Sequence, residues 1–182
     1  DKSDNTPDYS GLPEPRNTPS ETYQHTLAQT NDFREQLKSQ ITVLPLSARE
    51  RMLAGYIVDS LDDDGYLRVS ITDLTDTLSF AHSLVIEDEE VEAALQSVQA
   101  LDPVGIGARD LRECLLLQLK SLHAHQKSAS TAIRIVQDHL QDLATHQYEK
   151  IANSLGSTLA AIRAAAMLIK KLNPHPVAGQ TT

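Results

Sequence analysis

Three short stretches of this chain carry residue types that could do chemistry. Leu61-Asp62-Asp63-Asp64-Gly65-Tyr66-Leu67 sets three consecutive carboxylates before a glycine, an invitation to calcium. An EF-hand loop needs that glycine at position six and carboxylate ligands at positions one and twelve. With Gly65 at position six, those places fall on Ser60 and Ile71, so the loop reads as a solvated acidic turn. Gly105-Ile106-Gly107 opens like a dinucleotide-binding fingerprint. That fingerprint requires a third glycine and a preceding strand. Here the third place is Asp110, and the preceding sequence is helical, so the pair reads as a tight turn between helices. Cys114 is the single cysteine, and a nucleophilic thiol needs a neighbouring base. Histidines 25, 82, 123, 125, 139, 146 and 175 are scattered, none within local helical reach of it. Among leucines such a thiol behaves as a small hydrophobe. The chain contains no His-Glu-x-x-His pattern and no Cys-x-x-Cys pair of the kind zinc sites use. The reading is a non-enzymatic protein with no cofactor and no metal.

The elements that hold these stretches are helices. Pro103 disfavours helical geometry at Asp102 and stops whatever helix precedes it. Gly105 and Gly107 then supply backbone freedom that other residues lack. A new helix is expected to open near Ala108, with Asp110 and Glu113 in or near its first turn, where the macrodipole favours negative charge. Leu111, Leu115, Leu119 and Leu122 form one apolar stripe, which Leu116 and Leu117 widen. A helix so apolar should lie between two layers. Arg109 and Arg112 project from its start, with Asp110, Glu113 or the acidic runs near Asp62 and Glu87 as internal partners.

Upstream, residues 1–21 hold Pro7, Pro13, Pro15 and Pro19 among polar residues and cannot bury enough apolar surface to order. A helix is predicted from Thr22 to Leu44, with Phe33, Leu37, Ile41 and Leu44 on one face and Pro45 beyond its end. Ser47 and Glu50 make a capping box for a helix burying Leu53, Tyr56, Ile57, Ser60 and Leu61, which the Asp-rich turn ends. Tyr66 to Val69 is briefly extended. Ser70 and Asp73 cap a short helix around Ile71, Leu74 and Leu78. The acidic run Glu87–Glu92 opens another, with Val91, Ala94, Leu95, Val98 and Leu101 inside. Downstream of a polar stretch at 125–130, one helix carries Ile133, Val136, Leu140 and Leu143, a short one Ile151 and Leu155. A last helix, capped by Ser157, carries Leu159, Ile162, Ala166, Ile169 and Leu172, and Asn173-Pro174-His175-Pro176 ends it. The fold class is all-α: a disordered acidic linker over 1–21, then two small packed helical bundles over 22–124 and 125–182.

Aromatics are only 4% and tryptophan is absent, so the core must be aliphatic. One cysteine excludes an internal disulfide and suits a reducing compartment. No apolar run approaches the ~18 residues of a membrane span, and the polar first residues do not resemble a signal peptide. The expected location is cytoplasmic, with no membrane partner. A net charge of −9 makes a poor general DNA binder, since such binding rests on Lys and Arg neutralising phosphates. It suits a basic protein surface.

The acidic turn and the stretch Asp102-Pro103-Val104-Gly105-Ile106-Gly107-Ala108-Arg109-Asp110-Leu111 through Leu119 together resemble the signature of the core-binding domain of sigma-54 factors, the bacterial sigma class that needs an ATP-driven activator. The order and spacing of the two motifs are similar to the family's, from about Tyr23 to Pro176. After the last helix the family usually reads NPxPG, whereas this chain reads Asn173-Pro174-His175-Pro176-Val177-Ala178-Gly179. The resemblance implies that core RNA polymerase is the partner, with Asp64, Gly65, Asp102, Pro103, Gly105, Gly107, Arg109, Asp110 and Arg112 as interface candidates. It implies promoter DNA and the ATP-driven activator only through other parts of a full-length factor. The family's glutamine-rich N-terminal region, its DNA-binding helix-turn-helix and its basic box are not in this sequence, which alone is expected not to direct transcription. The alternative is a helix-turn-helix DNA-binding regulator using residues 148–172. Ala152, Gly156 and Ile162 have that motif's spacing, and Lys150, Arg163, Lys170 and Lys171 against Glu149 leave a local net charge of +3. A base-reading helix wants Arg, Asn, Gln or Lys near its start, and only Arg163 qualifies.

Overall fold

The structure is a computed structural model that describes residues 33–126 and 128–177. The linker over 1–21 and the first part of the helix predicted from Thr22 lie outside the described residues. Among those described, nine helices and no strand are present: α1 (33–42), α2 (Ala48–Ser60), α3 (Ile71–His82), α4 (Asp88–Gln99), α5 (Leu111–His123), α6 (Ala129–Asp138), α7 (Leu140–Ala144), α8 (Tyr148–Leu155) and α9 (Leu159–Lys170). The all-helical class read from the Leu- and Ala-rich sequence is therefore the observed one. Tyr66–Val69 is extended only as an irregular link.

Local chemistry sets the helix starts. At α2 the Ser47 side chain accepts from the Glu50 amide, and the Glu50 carboxylate accepts from the Ser47 amide, a complete capping box. Ser70 caps α3 through the Asp73 amide. At α5 the start falls three residues later than the sequence pattern suggested. Asp110 is the N-cap, in extended geometry, and accepts from the Glu113 amide at 2.8 Å. Ala108 and Arg109 stay outside the helix because Ala108 is fully buried and its carbonyl is engaged elsewhere. At α9 the cap is Thr158, not Ser157: its hydroxyl accepts from the Ala161 amide at 3.1 Å. The single helix expected over Ile133–Leu143 breaks at His139, whose φ of −131° and ψ of 22° are not helical.

Packing divides into two aliphatic clusters. The first unites Phe33, Leu37 and Ile41 of α1, Leu53 and Ile57 of α2, Leu74 and Leu78 of α3, and Val91, Leu95 and Val98 of α4. The second unites Leu115 and Leu119 of α5 with Ile135 and Val136 of α6, Ile151 of α8, and Ile162 and Ile169 of α9. α5 thus packs on α6 across the polar stretch at 125–130. Its other side places Cys114 and Leu117 against Tyr66 and Ala108, the inter-motif contact. α5 is a helix between two layers, as its broad apolar surface required. Leu111, expected in the stripe, is instead nearly half exposed, because the helix has only just begun there.

The caps make a paired test. Thr158→Ala should lower stability by about 0.5–2 kcal/mol in a urea melt, the usual worth of an N-cap hydroxyl. Ser157→Ala should leave it nearly unchanged.

Candidate functional site

The Asp-rich turn is built by Asp62. Its Oδ1 accepts from the amides of Asp64 (3.0 Å) and Tyr66 (2.9 Å), and its carbonyl accepts from Gly65 (3.0 Å). Its Oδ2 takes the Arg68 guanidinium at 3.3 Å. The carboxylate is thus spent on the turn itself, which gives the acidic run a structural reason. Gly65 sits at φ +89°, a left-handed geometry that disfavours side chains. A Cβ there would meet Ile106 Cδ1 at 2.5 Å and Val177 Cγ2 at 3.0 Å.

The two sequence motifs meet at this turn. The Gly107 amide donates to the Gly65 carbonyl at 2.8 Å, and the Leu67 amide donates to the Ala108 carbonyl at 2.9 Å. Gly107 has φ +76°, which lets its amide face Gly65 while the chain turns into α5. Ile106 is fully buried in the first cluster. Gly105 leaves room where a Cβ would come within 3.0 Å of Cys114 Sγ.

Three glutamines, none of them singled out from sequence, fasten the backbone around this contact. Gln40 of α1 grips Asp102 by amide and carbonyl, both at 2.8 Å. Gln99 of α4 donates to the Gly107 carbonyl (3.1 Å) and to Glu113 Oε1 (2.8 Å). Gln118 of α5 accepts from the Asn173 amide (2.8 Å) and donates to its carbonyl (2.6 Å). The Tyr66 hydroxyl completes the set by donating to the Pro174 carbonyl. Side-chain amides present a donor and an acceptor together, so Gln40 and Gln118 each satisfy both the N–H and the C=O of one residue, while Gln99 uses its donors alone. Periodicity shows only apolar faces and carries no sign of such pairings.

Cys114 is fully buried between Tyr66 and Gln118, with Sγ 3.3 Å from Gln118 Nε2 and 3.6 Å from the Asn173 carbonyl. Burial pushes its thiol pKa up, against the neighbouring Tyr66 and Gln118 side chains, which favour the thiolate. Burial first, and then the Cys114 contact, push Tyr66 up as well. Arg109 folds onto Glu113, with Nη2 2.7 Å from Oε2, while its own amide donates to Oε1 at 2.9 Å. The guanidinium's hydrogen bond to the Glu113 carboxylate raises the Arg109 pKa.

The nine nominated residues therefore separate. Gly65, Gly105 and Gly107 are buried scaffold, Pro103 is half-buried, and Asp110 is occupied as a cap. Arg109 is partly exposed but committed to Glu113, and Asp64 is half exposed with His175 Nδ1 at 3.8 Å. Asp102 is exposed and held by its backbone. Arg112 is exposed, and among the described residues nothing engages its side chain. Among the described residues, no three His, Cys, Asp or Glu side chains are grouped to hold a metal ion. No single helix among the described residues is long and apolar enough to cross a membrane.

The helix-turn-helix spacing also has a real geometry. α8 and α9 meet at 112° through left-handed Gly156, and Ala152 and Ile162 are buried at the crossing. The outward residues of α9 are Ala160, Arg163, Ala164, Met167 and Lys170.

Two aliphatic clusters in an all-helical chain thus meet beside a glycine turn, with charged side chains exposed around it. The chain matches the family model described as "Sigma-54 factor, core binding domain" over residues 22–182, and it belongs to that family. It is 40% identical over 150 residues to an RNA polymerase sigma-54 factor of Acidithiobacillus ferridurans, covering 82% of this chain and 30% of that protein. It is 37% identical over 137 residues to the sigma-54 factor of Pseudomonas aeruginosa, covering 75% of this chain and 27% of that protein. With that of Escherichia coli K12 it shares 34% over 147 residues, covering 81% and 30%. The chain thus spans about 30% of the length of the curated relatives it matches.

Two outcomes are expected from this geometry. Gly107→Val forces a β-branched side chain to φ +76°, with Leu95 and Val98 at 3.4 Å from its Cβ. It should cost about 1–3 kcal/mol in a denaturant melt. The second concerns pH. The folded Cys114 thiol has a raised pKa, so the unfolded chain loses that proton first. The contribution is complete below the ordinary thiol pKa of about 8.5. It is lost as pH rises toward the folded value, and Cys114→Ser should flatten the alkaline limb of a stability–pH profile.

Proposed function

We propose that this chain is the part of a sigma-54 factor that docks on core RNA polymerase, with a non-enzymatic role. The observation that carries the reading is the meeting of the two signature motifs at one rigid backbone contact, ringed by exposed Asp64, Asp102, Arg109 and Arg112. Buried Gly65, Gly105 and Gly107 shape that ring, Pro103 and Asp110 fix the turn between them, and Arg112, Asp64 and Asp102 touch polymerase, while Arg109, a candidate by sequence, is held by Glu113. Promoter DNA and the ATP-driven activator engage other parts of a full-length factor. The two bundles divide at the 102–110 turn, and the polar stretch near 125 is the α5–α6 connection inside the second. Support for that division is the membership of Leu115 and Leu119 in the second cluster.

A second reading, DNA contact through α8 and α9, is favoured by their 112° crossing. Against it stands the first half of α9's outer face, where Arg163 alone is suited to base edges, Lys170 lying at the far end of the helix.

Binding of core polymerase to the labelled chain, without DNA, separates the two. Saturable polymerase binding with weak promoter-DNA binding at physiological salt is expected. Tight DNA binding without polymerase binding would reverse the order of the readings. Arg112→Ala should weaken polymerase binding about tenfold, roughly 1.4 kcal/mol, with an unchanged melting curve. Arg109→Ala should instead register in stability, by about 0.3–1 kcal/mol, because its guanidinium is committed within the fold.

A further inference from the structure

The exposed surface of α3 does not fit a helix that merely covers a core. Asp73, Asp76, Thr77 and Phe80 point outward at i, i+3, i+4 and i+7. Phe80 is 89% exposed, and the chain then turns through Ser83 and presents Leu84 (41%) and Val85 (81%). The Leu84 amide bonds back to the Ser79 carbonyl at 3.2 Å, so Leu84 stays beside the last turn that carries Phe80. The following Ile86 is buried, and Arg49 holds the Val85 carbonyl at 2.6 Å. The tip is therefore anchored on both sides while its large apolar groups face water.

Charge around the tip is predominantly negative, and the one cation shown against it, Arg49, is paired with Glu90 at 2.8 Å. Residues 69–108 contain eight Asp or Glu and no Lys or Arg, whereas residues 109–182 contain nine Lys or Arg against five Asp or Glu. Almost the whole negative balance of the folded part lies on α3, α4 and their connection. This excludes several occupants. Nucleic acid and anionic lipid surfaces would be repelled. A second copy seated face to face would oppose like charges. The N-terminal residues 1–32 of this chain carry two Lys or Arg against six Asp or Glu, and so have the wrong sign.

We propose that the α3 tip, Phe80 with Leu84 and Val85, inserts into an apolar pocket rimmed by Lys and Arg on a protein surface of core RNA polymerase. The inference rests on the docking function proposed above and adds a second contact area to the ring around Arg112. Phe80 is the anchor, and the carboxylates of α3 and α4 steer and orient the approach.

The experiment measures core polymerase binding by the unaltered chain and by Phe80→Asp, Val85→Asp and Gln141→Asp, with a melting curve for each. Gln141→Asp adds the same charge on exposed α7 of the second bundle. Phe80→Asp is expected to weaken binding tenfold or more, Val85→Asp severalfold, and Gln141→Asp not at all, with all melting curves superimposable. Glu89→Lys with Glu92→Lys should slow association and flatten its dependence on salt. If the unaltered chain binds and Phe80→Asp and Val85→Asp bind equally well, the tip is not a contact and the docking function stands without it. If the unaltered chain does not bind polymerase, both proposals fall.

Discussion

Two backbone hydrogen bonds, Gly107 to Gly65 and Leu67 to Ala108, are the constraint on which the rest depends. They join turns about forty residues apart in the chain, and both turns must be complete before either bond can form. Asp62 completes one turn by absorbing its loose amides. Asp110 and Glu113 complete the other by starting α5 beyond it. With the bonds in place, Ile106 enters the first cluster while α5, a few residues on, joins the second. The relative setting of the bundles therefore follows from local turn chemistry as much as from apolar burial.

The helices were legible because their signals are local. Ser47 with Glu50, Ser70 with Asp73, and the inner face of α4 could each be read within a dozen residues and stand as read, while α2 buries Ala54 and Val58 beside Leu53 and Ile57 and leaves Tyr56 and Ser60 half-buried. The misplacements arise where a local signal was ambiguous or overruled. Ser157 and Thr158 are both acceptable caps, and only the arrival of the chain through left-handed Gly156 selects the second. The apolar period continued smoothly through His139, but the ring bonds to Asp142 Oδ2 at 3.2 Å and faces Ser154 Oγ, also at 3.2 Å, across the break. α5 starts late because the Ala108 carbonyl is committed to a partner distant in sequence, which no window of residues reveals.

At the candidate site, the motifs drew attention to the two loops that meet in the structure. The glycines stood out as conspicuous letters, yet their role is to be absent from the surface and to let Ile106, Val177 and Cys114 approach. The glutamines at 40, 99 and 118 looked like ordinary exposed polar residues. A glutamine that satisfies a distant peptide group has the same local sequence as one that faces water. Cys114 shows the same limit: leucine neighbours suggested simple hydrophobic packing, and the structure adds Tyr66, Gln118 and the Asn173 carbonyl around its sulfur.

The return of residues 173–177 has a mechanical consequence. After α9 the chain comes back to the first bundle's turn, where Gln118 clasps Asn173, Tyr66 holds the Pro174 carbonyl, and Val177 lies over Gly65. Tension applied to the chain near residue 177 would meet these fastenings before it reached α9. The load would pass into α5 through Gln118 and into the acidic turn through Tyr66, straddling both bundles at once. A pull along this path would be shared between two cores rather than peeling a helix from one.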